Sequence, residues 1–410
     1  MYCIIQDITT SVHTPQFVAG ALPRRRQSVP RAPLPASPHK KSKDDYLPAL
    51  TGLRFVLALW VMLHHISGKG MMVESWANSL PAAASLVRGG YLAVQTFFIL
   101  SGFVLARSYA KATWKRNDLW KYAAARIARI YPVYLVSLAV ISPFVFEAMM
   151  KPGRSGAAKA GLLLDYGFVL QGWTGNLGVG WNTPAWSLSC EFFFYLFFPL
   201  LLLGLRNAGR PTVGVVLATS LVMPVLLAHS RVPWEWKPLH HLSDFAAGVA
   251  AARLLEFLRP AMARKGQWLY LPALAAGALL IIDPRIMDGT WGDLNTGLRP
   301  LNVAALLGLA LSGGSLARIL STKTAGYLGQ VSYSMYILHV PVLWWYGYWA
   351  VNGPLHMPPA VAAIVYLLLV TGVAALAFEL VEMPANRWIR AKVSARLGVR
   401  QPVLEQAAAA

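Results

Sequence analysis

Long apolar runs, separated by short polar segments, dominate the pattern of this chain. A helix needs about 20 apolar residues to cross the hydrocarbon core of a bilayer, and about ten runs approach or exceed that length. The pattern therefore predicts an all-α fold, a polytopic membrane helix bundle of about ten transmembrane helices. We place the spans at residues 47–66, 89–108, 130–149, 184–204, 211–229, 241–258, 268–282, 299–317, 327–350 and 359–380.

Basic residues gather in the polar segments at one set of predicted helix ends. They produce a formal net charge of +20, from 37 Lys and Arg against 17 Asp and Glu. Cytoplasmic loops of membrane proteins carry such an excess. We therefore expect both termini in the cytoplasm and a multi-pass protein of the cell inner (plasma) membrane. No segment resembles a DNA- or RNA-reading motif, so the expected partner is the lipid bilayer and not nucleic acid.

A shorter apolar piece, residues 161–173, is interpreted as re-entrant or interfacial. Counting it as an eleventh span would reverse the side on which the later basic loops lie. The ten-span interpretation places Lys151, Arg154 and Lys159 outside, against the same rule. Ten and eleven spans therefore both stay open, with ten preferred.

The chain divides into one membrane domain and two polar tails. Residues 1–45 are rich in Pro, Ser, Arg and Lys and are typical of a disordered basic cytoplasmic tail. Residues 46–392 form the predicted membrane domain, and residues 393–410 a C-terminal cytoplasmic tail. Cys3 lies in the first tail and Cys190 in an apolar run. This spacing predicts neither a disulfide framework nor a cysteine metal site.

The first predicted span carries three ionisable side chains, Arg54, His64 and His65. Such groups are costly at membrane depth and are functional candidates by default. On a helix, Arg54 and His65 lie about 20° apart around the axis and about 16 Å apart along it, whereas His64 points about 80° away from Arg54. We therefore select His65. The alternative is that Arg54 reaches the interface and that the histidines lie among the headgroups.

Two arginines lie where a basic loop enters the third span. Arg126 and Arg129 are three residues apart and share one helix face. Guanidinium groups suit phosphate because they donate to two of its oxygens at once. Ordinary basic flanking of a membrane helix is the alternative.

Glu191 precedes a dense apolar run and should lie inside the bundle. A buried carboxylate needs a partner, and an arginine or histidine of another span is the natural one. It is interpreted either as the group that orients His65 or as a member of a structural ion pair.

Other polar groups receive simpler interpretations. His339 is expected to be a hydrogen-bonded packing residue, and Glu382 to anchor the end of the last span. His240 and His241 have no obvious partner in the sequence, and Asp244 is interpreted as a cap of its helix.

Six motifs follow one another along the chain: Arg54 with His65; FFILSGF at 97–103; Arg126, Arg129, Tyr131 and Pro132; WSLS with Glu191 at 186–191; residues 332–341, ending in His339 and Pro341; and Glu382 with Pro384. Together and in this order they resemble the motifs of the acyltransferase-3 family, which comprises bacterial integral-membrane O-acyltransferases. The resemblance covers about residues 45–392. Two departures stand out: Gln95 replaces an Asp of many members, and Phe192 with Phe193 replaces a common Glu-Gln pair.

The resemblance implies transfer of an acyl group, most often acetyl, from cytoplasmic acyl-CoA to a hydroxyl of a carbohydrate or small-molecule acceptor. His65 would be the catalytic base, with Glu191 as its catalytic partner. The cofactor-binding residues would be Arg54, Arg126 and Arg129, and no metal is expected. The alternative from another class is a transporter or flippase of a glycan or lipid-linked substrate, but no internal repeat of the transporter kind is present.

The spacing along the first span fits this chemistry independently of the resemblance. The separation of about 16 Å between the cation and the imidazole is comparable to a pantetheine arm. Acceptor selection is expected in the outer loops, 67–88, 150–183 and 283–298. Four tryptophans there are interpreted either as sugar-stacking or as interfacial belt residues: Trp76, Trp173, Trp181 and Trp291.

Overall fold

A computed structural model describes residues 47–68, 72, 74, 81–150, 155–174, 181–233, 235–282, 294–352 and 357–397. The predicted tail at 1–45 lies outside the described residues, as do Trp76, Trp291 and residues 398–410. The two predicted domain boundaries therefore stay predictions.

The described residues form helices and contain no strand. Within the described ranges, fourteen α-helices follow one another, with 3₁₀ turns at Gly89–Leu92 and Thr183–Ala185 and a π-helical turn at Phe378–Glu382. The first seven are α1 (Pro48–Ile66), α2 (Pro81–Arg88), α3 (Ala93–Tyr109), α4 (Arg116–Met150), α5 (Gly156–Gly167), α6 (Trp186–Leu205) and α7 (Arg210–Ala228). The others are α8 (Lys237–Met262), α9 (Gln267–Ile282), α10 (Leu294–Leu311), α11 (Gly314–Leu320), α12 (Lys323–Asn352), α13 (Pro359–Ala377) and α14 (Met383–Arg396).

The all-α membrane bundle is confirmed, whereas the count of ten spans stays a prediction. By length and composition, six helices of the described chain are able to cross a membrane, or seven if the pair α10 and α11, bent by 79°, counts as one broken span. The predicted spans at 241–258 and 327–350 lie in α8 and α12, which are long enough but carry polar side chains into the interior. The piece at 161–173 belongs partly to the 12-residue helix α5, which is too short to cross.

The distribution of side chains is that of a bundle surrounded by lipid. Large apolar side chains such as Leu196 and Leu368 are about 70% exposed. Several ionisable groups lie inside instead: Asp244, His339 and Glu382 are each at most 1% exposed. In a bilayer such groups must be paired within the protein, so the buried polar positions locate the functional interior.

Small residues bring the site helices close together. At the crossing of α3 and α8, a Cβ on Gly102 would clash with the carbonyl of Phe245, and a Cβ on Gly248 would clash with the carbonyl of Ile99. A Cβ on Gly329 of α12 would likewise clash with the carbonyl of Thr51 in α1. Close backbone approach at glycine is the usual packing mode of membrane helices, and here it holds α1 against α12.

Candidate active site

A small cavity brings together four of the five residues that the sequence singled out. Arg54 of α1, Arg126 and Arg129 of α4, and Glu191 of α6 all line this space of about 120 Å³. Glu191 is the one acidic residue among the described lining residues, and its Oε2 accepts a 2.8 Å hydrogen bond from Tyr195. The excess of guanidinium groups makes this cavity, named here the arginine cavity, suitable for an anionic ligand.

Arg126 is held by aromatic rings. Its guanidinium carbon lies 5.7–5.8 Å from the ring centroids of Tyr109, Tyr122 and Tyr195. Its buried Nε has no hydrogen-bond partner among the described residues. Cation–π contacts orient a guanidinium without neutralising its charge, so this cation stays available to an anion.

Arg129 differs because a carboxylate balances its charge. It forms an ion pair with Glu382, and its guanidinium lies 5.3 Å from the ring centroid of Tyr333. The other carboxylate oxygen of Glu382 accepts a 2.7 Å bond from Ser334. Glu382, expected to anchor the end of a span, is thus the counter-ion of a cavity arginine.

A second, larger cavity of about 590 Å³ contains His65, and we call it the histidine cavity. His65 Nδ1 lies 2.9 Å from the carbonyl oxygen of Val61 and 3.3 Å from His339 Nε2. His339 Nδ1 in turn lies 2.6 Å from the carbonyl oxygen of Tyr336.

These contacts assign the protons of both rings. A carbonyl oxygen only accepts, so Nδ1 carries the hydrogen in both His65 and His339. His339 Nε2 is then an acceptor for the His65 Nδ1–H. The Nε2 of His65 retains its lone pair, which is what a general base or a nucleophile needs.

His64 also lines the histidine cavity, and its ring lies 5.2 Å from that of His65. Its Nδ1 lies 2.6 Å from the carbonyl oxygen of Arg88. The angular argument separated the two histidines by the direction in which they point, yet the structure places both rings on one cavity. The contact with His339 is what distinguishes His65.

Glu191 is one predicted orienting partner of His65, but in the structure another side chain contacts His65. Glu191 lies in the arginine cavity and bonds to Tyr195, whereas the side chain bonded to His65 is that of His339. Sequence reasoning gave His339 only a packing role. The signal that could have identified a functional role for His339 is its position in the middle of a predicted membrane span, where an ionisable group is costly.

The two cavities adjoin. Val94 and Tyr336 line both of them. Phe97, which lines the arginine cavity, packs edge-on against Tyr336 with ring centroids 5.9 Å apart. An extended ligand that passes between the arginines and His65 would cross at this aromatic boundary.

Two of the four candidate sugar-stacking tryptophans fall within the described residues. Trp181 is buried, and its Nε1 donates to the carbonyl oxygen of Leu138 over 2.9 Å. Trp173 packs against Phe193 with ring centroids 4.9 Å apart. Trp181 is therefore a packing residue. Throughout the described ranges, no three His, Cys, Asp or Glu side chains form a group that could hold a metal ion.

Comparison with known proteins gives a consistent set of relatives. A family model for an acyltransferase domain matches residues 47–379. The acyltransferase MdmB of Streptomyces mycarofaciens is 30% identical over 329 residues, which cover 75% of this chain and 82% of that protein. The O-acetyltransferase OatA of Staphylococcus aureus is 22% identical over 395 residues, 85% of this chain and 58% of the relative.

A third relative, the peptidoglycan O-acetyltransferase OatA of Listeria monocytogenes, is 24% identical over 328 residues. They cover 73% of this chain and 49% of that protein. The chain thus spans only about half the length of the OatA proteins it matches. No solved structure matches this chain.

Proposed function

Because this chain belongs to the acyltransferase-3 family, we propose that it is a membrane O-acyltransferase that uses cytoplasmic acyl-CoA, with acetyl as the expected acyl group. The acceptor is a hydroxyl of a carbohydrate or a small molecule. We also propose that the protein lies in the inner (plasma) membrane, with its amino terminus in the cytoplasm as the positive-inside pattern predicts. Residues 46–392 carry the activity.

One observation carries the proposal: an imidazole with an open Nε2 lies in a cavity that adjoins another cavity lined by three arginines. The first arrangement supplies a base for a hydroxyl, and the second supplies sites for phosphate. A transporter requires neither the fixed tautomer of His65 nor the second imidazole behind it.

The arginine cavity is assigned to the donor. The guanidinium groups of Arg54, Arg126 and Arg129 donate to phosphate oxygens of coenzyme A. Glu191, which is hydrogen-bonded to Tyr195, lines the cavity beside them. The pantetheine arm then extends past Tyr336 toward His65, a path of about 16 Å along α1. Glu191 thus acts on the donor side and not as the direct partner of His65.

The histidine cavity is assigned to the chemistry. His65 Nε2 takes the proton of the acceptor hydroxyl while that oxygen attacks the thioester carbonyl carbon. The carbon–sulfur bond breaks as the new carbon–oxygen bond forms, and the proton passes from His65 to the departing sulfur. His339 accepts the His65 Nδ1–H throughout and stabilises the imidazolium that forms transiently.

An acyl-histidine relay would use the same lone pair of His65 as a nucleophile. Direct transfer and the relay are distinguished by intact-protein mass spectrometry after mixing with acetyl-CoA. A mass increase of one acetyl group that is removed by hydroxylamine supports the relay.

The test uses the full chain in detergent or nanodiscs with acetyl-CoA. Release of free coenzyme A is followed with a thiol reagent, and esters are followed by mass spectrometry with methyl β-D-glucopyranoside and chitopentaose as acceptors. We expect His65→Gln to abolish both signals, and the neighbouring His64→Gln to have a much smaller effect. A wild-type protein that neither releases coenzyme A nor forms an ester would support the transporter alternative and contradict the proposal.

A further inference from the structure

A further imidazole with a bonded Nδ1, besides those of His64 and His65, faces the histidine cavity. His241 of α8 lines this cavity, and its Nδ1 lies 2.9 Å from Asp244 Oδ2. The other oxygen of Asp244 accepts a 2.5 Å bond from Arg299 Nε, and Asp244 is only 1% exposed. The sequence alone had given these residues no joint role.

The His241 ring is held on its sides as well as at Nδ1. Its centroid lies 5.5 Å from the ring of Trp186 and 5.1 Å from that of Phe98. Four helices, α3, α6, α8 and α10, therefore contribute to its position. An imidazole with this much support is pre-organised, which reduces the cost of binding to it.

The hydrogen-bond partners determine what His241 offers to a ligand. The carboxylate of Asp244 is already balanced by Arg299, and a carboxylate only accepts, so the His241 Nδ1 carries the hydrogen. Its Nε2 is then an acceptor. Among the contacts of the described residues, no hydrogen-bond partner of this Nε2 is present.

An independent observation in the same cavity points to a ligand. Gln95 lines it and is 6% exposed, and its Oε1 is buried without a hydrogen-bond partner in the part of the chain that the structure describes. Leaving such a buried acceptor unpaired is costly. A donor on a bound molecule would remove this cost.

The residues that line the cavity thus include several hydrogen-bond acceptors: the Nε2 atoms of His64, His65 and His241, and the unpaired Oε1 of Gln95. A volume of about 590 Å³ falls in the range of about 300–1,000 Å³ that is usual for small-molecule sites. A ligand with several hydroxyl donors matches this set, whereas an alcohol with one hydroxyl does not.

We propose that His241 is a specificity-determining residue that accepts a hydrogen bond from a second hydroxyl of the acceptor sugar, whose reacting hydroxyl lies at His65. Gln95 accepts from a further donor of the same molecule. Asp244 and Arg299 are positioning residues that fix the tautomer of His241. This inference rests on the proposed function and goes beyond it by assigning the acceptor contacts.

The experiment compares two acceptors that differ in hydroxyl number, methyl β-D-glucopyranoside and propan-1-ol, with the full chain and acetyl-CoA. His241→Phe keeps the ring volume against Trp186 and Phe98 and leaves Asp244 paired with Arg299. Loss of one hydrogen bond of about 0.5–1.5 kcal/mol predicts a KM for the glucoside that is about 2- to 12-fold higher, and an unchanged KM for propan-1-ol and for acetyl-CoA.

Two further variants test whether the nitrogen is the cause. His241→Gln places an amide oxygen near the position of Nε2 and should restore part of the preference for the glucoside. His229→Phe, at an exposed histidine that follows α7, should leave it unchanged. An equal glucoside KM in the wild-type and His241→Phe proteins, or a wild type without preference for the glucoside, would overturn the inference.

A chemical measurement on the wild-type protein avoids dependence on variant folding. Diethyl pyrocarbonate modifies imidazole nitrogens that carry a free lone pair. We expect modification of His241, protected by the glucoside, and none of His339, whose two nitrogens are bonded. An unmodified or unprotected His241 would refute the assignment. Thioester hydrolysis without any transfer to the glucoside would also refute it, whereas absence of both reactions in the wild type would contradict the proposed function itself.

Discussion

Replacing His339 should slow the reaction without weakening donor binding. His339 is fully buried, and its Nε2 accepts the Nδ1–H of His65 over 3.3 Å. His339→Leu removes this acceptor and keeps an apolar side chain of similar size in the core. His65 keeps its bond to the Val61 carbonyl, so its tautomer is preserved and only the support of its charged form is reduced.

The size of the effect follows from the charge that develops on His65. A hydrogen bond to a charged group contributes about 1.5–3 kcal/mol, and about 1.36 kcal/mol corresponds to a tenfold change in rate. We therefore expect kcat to fall by about 10- to 150-fold. Because the imidazolium exists only near the transition state, the KM for acetyl-CoA should stay the same.

The assay is coenzyme A release from acetyl-CoA under saturating acceptor, with thermal unfolding of each variant as a check on folding. His339→Gln is the matched control, since its amide oxygen can accept from His65 Nδ1, and it should retain much of the wild-type kcat. A folded His339→Leu protein with wild-type kcat would refute the reasoning. A change confined to the KM for acetyl-CoA would do so as well, because it would place His339 on the donor side.

Two predictions concern stability, measured by denaturant titration in mixed micelles. Glu382→Gln leaves the charge of Arg129 without its counter-ion and should cost about 3–5 kcal/mol of unfolding free energy. Glu256→Gln, at an exposed carboxylate that pairs with the half-buried Arg107 and Arg253, should cost about 1 kcal/mol or less. Equal losses in the two variants would contradict the greater cost of breaking the buried pair. Gly52→Ala forces a Cβ against a backbone carbonyl of α11 and should cost about 1–3 kcal/mol of unfolding free energy. Gly161→Ala, where a Cβ meets open space, should be neutral or stabilising. A greater loss of stability in Gly161→Ala than in Gly52→Ala would contradict the packing of α1 against α11.

The helical class follows directly from the sequence, because hydrophobic runs of bilayer length have few other solutions. The number of spans is harder to predict from the sequence. The helix α8 contains Asp244 and Arg253, and α12 contains His339, so both read as less apolar than the lipid-facing helices although they are long. The break between α10 and α11 divides one predicted span, 299–317, into two helices at Ser312 and Gly313, which both have positive φ.

Part of the candidate site could also be predicted. Arg54 and Glu191 are selected as ionisable groups within apolar runs, and Arg126 and Arg129 as a guanidinium pair at the entry to the third span. The structure brings all four to one cavity. Their partners could not be predicted, because the sequence does not say which helices touch. The pair of Arg129 with Glu382 joins residues 253 positions apart.

The sequence by itself determined that this is a helical membrane protein with costly charges in its interior, since an unpaired charged side chain is costly at membrane depth whichever helix carries it. Tertiary structure decided how those charges are used. Close packing of α1 against α12 brings His339 to His65, and the crossing of α8 with α10 brings Asp244 to Arg299. Such contacts depend on which helix faces are neighbours. Helix periodicity in the sequence shows which residues share a face, but it does not show which other helix packs against that face.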